Sequence, residues 1–198
     1  MKVRLSFAWL AWVAGTTIAF AAGMGIALVV ALVVGLATDG PWGGTAGAAL
    51  VAFAVSAAQY GVLRLLRADV RFAPWTLGSA LAAGLGWLAG QCAALPLRGA
   101  WTSARGFAVY FVIGAAIGGA VGVVQRLAWR ERMPIPAGWI GATALGWGLG
   151  LAMFSCSSLS HALRIAGVIA PGIITASALV LLGGTGRFAP PSVRHGAA

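Results

Sequence analysis

Apolar runs of about twenty residues, separated by short segments that hold nearly all the charge, constrain this 198-residue chain more than any other feature. A bilayer's hydrocarbon core is ~30 Å thick and an α-helix rises ~1.5 Å per residue, so each run matches one crossing. In lipid the backbone must satisfy its own hydrogen bonds, which leaves helices or a closed barrel. Continuous rather than alternating apolarity selects helices. Composition agrees: 61% of the residues are hydrophobic and 8% charged, against roughly 25% charged in a soluble domain. The mean hydropathy is +0.96.

The expected fold is therefore an all-α integral membrane protein with six transmembrane helices. The spans are read at approximately 7–36, 46–66, 74–95, 107–128, 136–157 and 163–184, within one transmembrane domain, 1–186, and residues 187–198 form a short tail. The first run is long for one crossing and is expected to tilt or protrude. Turn residues mark several links: Asp39-Gly40-Pro41, Pro96, and the pair Pro134 and Pro136. Lys2 and Arg4 before an apolar run, with Ala19-Phe20-Ala21 further on, resemble a secretory signal. Apolar residues continue to Leu36, well past a signal core, so the segment reads as an uncleaved first helix.

The net charge of +10 raises the question of nucleic acid, which attracts basic patches. The thirteen Lys and Arg residues sit between apolar runs, where topology requires them, and no nucleic-acid partner is expected. With the N-terminus inside, the inner segments hold Lys2, Arg4, Arg64, Arg67, Arg71, Arg126, Arg130, Arg132, Arg187 and Arg194, ten in all. The outer loops hold three, Arg98, Arg105 and Arg164. That bias places both termini in the cytoplasm of a multi-pass protein of the bacterial inner membrane. The inner arginines at 64, 67, 71, 126, 130 and 132 are candidate contacts for anionic lipid headgroups or an acidic partner.

Three tryptophans, Trp12, Trp75 and Trp139, stand 63 and 64 residues apart, and each opens an apolar run. Each is followed by a four-step ladder of small residues: Gly15, Ala19, Gly23, Ala27; then Gly78, Ala82, Gly86, Gly90; then Ala142, Gly146, Gly150. Positions four apart share a helix face, and small residues there let helix backbones approach, which lipid-embedded helices rely on for association. Gly114, Gly118 and Gly122 form a further stripe. The pattern reads as one helical hairpin of about 64 residues used three times. The tryptophans are expected at the cytoplasmic interface, with the indole N–H hydrated. Returning helices begin near Trp42 and Trp101, with His161 at the matching place in the third hairpin, and two of them end on Gln59-x4-Arg64 and Gln125-x4-Arg130. The third lacks the Gln. Gln-x4-Arg, a Trp-led helix and the pairs Gly86-Trp87 and Gly146-Trp147 together resemble small, uncharacterised multi-pass membrane proteins of bacteria, over roughly residues 55–150. The resemblance implies no activity. The three two-helix units are similar in layout to the mitochondrial carriers, but that family's Pro-x-Asp/Glu-x-x-Lys/Arg signature is absent and the repeat is far shorter.

Few residues offer chemistry. Asp39, Asp69 and Glu131 fall in links, so the spans lack the buried ionisable groups of proton-coupled transporters. Gln59 and Gln125 are the polar candidates within spans, as inter-helix hydrogen-bonding groups or as a substrate contact. Thr16, Thr17, Ser79 and Thr143 can bond their own helix carbonyls. The cluster from Ser155 to His161 holds Cys156 and three further serines, but no carboxylate or second His, so no metal is expected and the serines read as helix caps. A serine nucleophile would lack a base. Cys92 and Cys156 each follow a Trp by seventeen residues on the outer side, where a disulfide is conceivable; the bland reading is two small apolar side chains. Pro171-Gly172 is placed to kink the sixth run and free a carbonyl; broken helices are a device of transporters, but a single Pro is also common in membrane helices.

The expected function is a non-enzymatic accessory or scaffolding subunit of a larger membrane complex, without cofactor. Its partners would be lipids and other membrane subunits. The alternative is a transporter or channel for a small solute, with Gln59, Gln125 and Pro171 along its path.

Overall fold

The computed structural model describes residues 2–38, 41–65, 70–97, 103–129, 138–155 and 159–183. They form six α-helices and no strand: α1 (Lys2–Ala37), α2 (Trp42–Leu65), α3 (Gly78–Ala93), α4 (Ser103–Trp129), α5 (Gly138–Ser155) and α6 (His161–Gly183). A π-helical turn, Ala73–Leu77, leads into α3, with Gly78 N–H donating to the Ala73 carbonyl. Four helices are long and apolar enough to cross a membrane: α1 from Phe7, α2, α4 from Ala104, and α6 up to Leu181. α3 and α5 are shorter, and glycines and buried polar residues take up much of their length. The helices overlie the six expected runs. The largest difference is α1, whose 36 residues extend about 54 Å at ~1.5 Å per residue.

Each helix packs on its neighbours in sequence, and α6 returns to α1, so the six close into a ring. Neighbours run antiparallel, as the paired contacts show: Gly23 faces Val51 and Gly47 faces Ala27 between α1 and α2, while Gly86 faces Ile117 and Gly90 faces Ile113 between α3 and α4. All odd helices therefore start at one end of the bundle and all even helices finish there.

Glycine governs how closely several pairs approach. A Cβ on Gly86 would lie 2.7 Å from Ile117 Cα, and one on Gly90 the same distance from Ile113 Cα. Between α4 and α5, a Cβ on Gly114 would stand 2.9 Å from Gly148 Cα, and Gly118 lies against the Thr143 backbone. Between α5 and α6, a Cβ on Gly146 would lie 3.1 Å from Pro171 Cα and one on Gly150 3.0 Å from the Gly167 carbonyl oxygen. A Cβ on Gly23 would lie 3.1 Å from Val51 Cα. A Cβ on Gly15 would make ordinary contacts at 3.9 Å with Ala58 and Val62, and one on Gly78 would meet a movable Val124 methyl. The ladders thus mix backbone-on-backbone contacts with looser positions.

Candidate functional site

The tryptophans are enclosed by protein and their N–H groups are not hydrated. Trp12, Trp75 and Trp139 are buried to 1%, 0% and 0% exposure, and each indole N–H is bonded inside the protein. The hydration expected at a membrane surface is replaced by acceptors on neighbouring helices, which the spacing of the chain alone does not reveal. Trp12 donates to Thr175 Oγ1 at 3.0 Å, Trp75 to the Ser56 carbonyl at 3.1 Å, and Trp139 to Gln125 Oε1 at 3.1 Å. In every case the donor belongs to an odd helix, or to the π-helical turn that leads into it, and the acceptor to the even helix before it around the ring: α1 to α6, the turn before α3 to α2, α5 to α4.

Gln59 and Gln125 meet within this layer. Gln125 Nε2 donates to Gln59 Oε1 at 3.2 Å and reaches Ser56 Oγ at 3.5 Å, so the two glutamines bridge α2 and α4 behind α3. With Trp139 on the other end of the amide, Gln125 holds three helices together. Ring contacts complete the layer: Trp12 meets Trp139 edge to face at 6.1 Å, and Trp75 meets Trp129 at 5.5 Å, a geometry favoured by the ring quadrupoles. Such a layer is costly to break, because an orphaned buried donor loses its hydration without replacement.

A second stripe runs inward from each tryptophan. Four residues on stand Thr16, Ser79 and Thr143, all buried; eight on stand Phe20, Ala83 and Trp147, also buried; twelve on stand Met24, Trp87 and Leu151, packed against the core. Phe20 and Trp147 meet edge to face at 5.7 Å. Ser79 and Thr143 donate to the carbonyls of Trp75 and Trp139, at 2.5 and 3.0 Å. Thr16, at the corresponding place, has a buried hydroxyl with no partner. The four-step sequence ladder lies one position short of this stripe, which is how it picked out the small packing residues and passed over the interior-facing ones.

Thr175 takes on α6 the part that Gln125 takes on α4. Gly122 and Gly172, each three residues earlier, both lie against the odd helix that supplies the tryptophan: Gly122 against Ile140 and Thr143, Gly172 against Val13 and Thr16. A fixed offset misses this, since Thr175 follows Gln125 by 50 residues where Gln125 follows Gln59 by 66. The cause is the short α5–α6 hairpin, in which α5 ends at Ser155 and α6 begins at His161.

Pro171 sits at the edge of the layer and not apart from it. Its carbonyl accepts the Thr175 hydroxyl at 2.6 Å, and its ring packs on Gly150. At the far end of the bundle, Ser160 precedes α6 and accepts from Leu163 N–H at 3.4 Å, as a cap does. Arg164 donates to the Phe154 carbonyl at 3.2 Å with its guanidinium 5.9 Å from that ring, which ties the short turn to the end of α5. His161 and Cys92 are exposed. Among the described residues no three of His, Cys, Asp or Glu come together. Arg64, Arg71 and Arg126 are exposed near the end of the bundle where the tryptophans lie. Arg67, Arg130, Arg132, Cys156 and the 187–198 tail lie outside the described residues.

The chemistry available at this layer is neutral hydrogen bonding among indoles, amides and hydroxyls, enclosed by aromatic rings. Compared with known protein families, with curated proteins and with solved structures, the chain matches none.

Proposed function

We propose that this chain is a non-enzymatic subunit of the bacterial inner membrane, crossing it six times as three repeated helical hairpins. Both termini are cytoplasmic, and the chain braces a larger membrane complex. The observation that carries the reading is the hydrogen-bonded layer in the interior. Gln59, Gln125, Ser56, Thr175 and the three tryptophans make their hydrogen bonds within the protein, Thr175 through the Pro171 carbonyl, which favours a rigid unit over a ligand chamber. Two further features support it. α1 is the least enclosed of the long helices, with Ile18, Leu28, Val29, Leu32, Val33 and Leu36 all exposed, and so offers the broadest apolar face for lipid or a partner helix. The exposed Arg64, Arg71 and Arg126 match the cytoplasmic leaflet, whose anionic headgroups attract basic side chains. The three-hairpin reading rests on the equivalent bonds of the tryptophans and on the matched stripes behind them.

The second reading, a small-solute transporter, draws on Pro171 and on the unpartnered Thr16 hydroxyl beside the polar layer. Purification in mild detergent separates the two. A bracing subunit brings down stoichiometric membrane partners. A chain that purifies alone and moves a neutral solute across liposomes, with flux lost in Gln125→Leu, would replace the first reading by the second.

A further inference from the structure

We propose that the α6–α1 seam is the opening seam of the ring, and that its opening admits water to the tryptophan layer. The proposal holds whether the chain braces a complex or carries a solute. Topology supplies the first argument. Five of the six helix pairs around the ring are neighbours in sequence joined by short links, whereas α1 and α6 meet across more than a hundred residues of intervening chain. Among the described residues that seam is held by side-chain and backbone contacts and by no short link, so opening it stretches no hairpin loop.

The second argument is the state of α6 where it meets α1. Pro171 has no N–H, so the Gly167 carbonyl loses its helical donor, and the adjacent Gly172 adds no side chain. Helices bend where the ladder is interrupted in this way. The freed Gly167 carbonyl and the Pro171 ring face Gly150 of α5, while the next residue, Gly172, lies against Val13 and Thr16 of α1, and Thr175 one turn later accepts from Trp12, so the weakened turn borders the seam.

The third argument is the buried hydroxyl of Thr16. At the other two odd helices the equivalent hydroxyls are bonded to the tryptophan carbonyl. Thr16 is 1% exposed and bonded to nothing. A buried polar group without a partner is destabilising while the seam is shut, and hydration of that group offsets part of the cost of opening. The α4–α5 seam has the opposite character. There Gly114, Gly118 and Gly122 lie on the α5 backbone, and the Thr143 hydroxyl is satisfied.

Cysteine labelling tests this in the full chain, in a background with Cys92→Ala and Cys156→Ala. Maleimide reacts with the thiolate, which requires water at the site, so a buried thiol reports hydrated opening. Thr16→Cys and Thr143→Cys place near-isosteric thiols at equivalent depths of the two seams. The expected result is labelling of Thr16→Cys faster by about tenfold or more, as befits a region of lower local opening free energy. Adding Pro171→Ala, which restores the helical donor, should slow it towards the Thr143→Cys rate. Equal rates for the two cysteines overturn the proposal. Hydrogen exchange on the unsubstituted chain reads the same motion should a cysteine variant fail to fold. Amides 172–176 should exchange faster than 143–147, and equal protection overturns the proposal.

Discussion

The indole N–H of Trp12 donates to the hydroxyl of Thr175 at 3.0 Å, joining residues 163 positions apart and closing a ring of six helices. The Thr175 hydroxyl in turn donates to the Pro171 carbonyl at 2.6 Å. One short chain of bonds thus connects the first helix to the interrupted turn of the last. Substituting Trp12→Phe keeps most of the ring and removes the donor, while Thr175 retains its own acceptor. The expected loss is about 1 kcal/mol, read as a lower Tm in detergent. Trp42→Phe, on an exposed indole, should leave Tm within error. An equal effect of both substitutions would remove the bond from the account of ring closure.

Gln125 is the most connected polar side chain of the layer. Gln125→Leu leaves the Trp139 N–H and the Gln59 carbonyl oxygen facing an apolar group, at about 1–3 kcal/mol for each orphaned group. Gln59→Leu should cost less, because Trp139 keeps its acceptor. Combined, the two should cost less than the sum of the singles, since neither glutamine is then left facing leucine. Strict additivity in a double-mutant cycle would mean that the two amides are not coupled.

Close approach at glycine is checked by adding bulk. Gly86→Leu and Gly146→Leu place a side chain where a Cβ alone meets Ile117 Cα at 2.7 Å and Pro171 Cα at 3.1 Å. Overpacking of this kind costs roughly 1–3 kcal/mol or prevents assembly. Gly141→Leu, with no atom within 4 Å of its Cβ, serves as the outward-facing comparison and should fold normally. Equal yield and Tm for all three proteins would contradict the packing described.

Orientation is checked in intact cells. The proposed topology puts Cys92, which is exposed just before the end of α3, on the periplasmic side. A membrane-impermeant maleimide should label it from outside. It should not label Arg126→Cys in a Cys92→Ala, Cys156→Ala background until the cells are opened. The reverse pattern would invert the bundle.

Some of the site was legible in the chain. Gln59 and Gln125 stand out as amides inside apolar runs, and the structure bonds them to each other. Pro171 stands out in the same way and lies at the edge of the same layer. Thr175 does not, because threonine is ordinary in an apolar helix and its offset is shortened by the α5–α6 hairpin. Ser56 is equally silent, since the atom that accepts from Trp75 is its backbone carbonyl, which every residue possesses. The tryptophans are conspicuous in the sequence, but their surroundings are not: the structure buries each indole against an acceptor. An indole opening an apolar helix is favoured both at a wet interface and against a buried acceptor, and periodicity cannot tell these apart.

The order and approximate bounds of the six helices follow from the sequence alone, because apolar run length and the charge of the links are local properties of a chain. What only the tertiary structure decided is the closure of the ring and the identity of the groups that meet inside it. Trp12 with Thr175, Trp139 with Gln125, and Gln59 with Gln125 are partners because antiparallel helices set their depths and glycine contacts set their separations. Those are relations between helices, and no single stretch of sequence contains them.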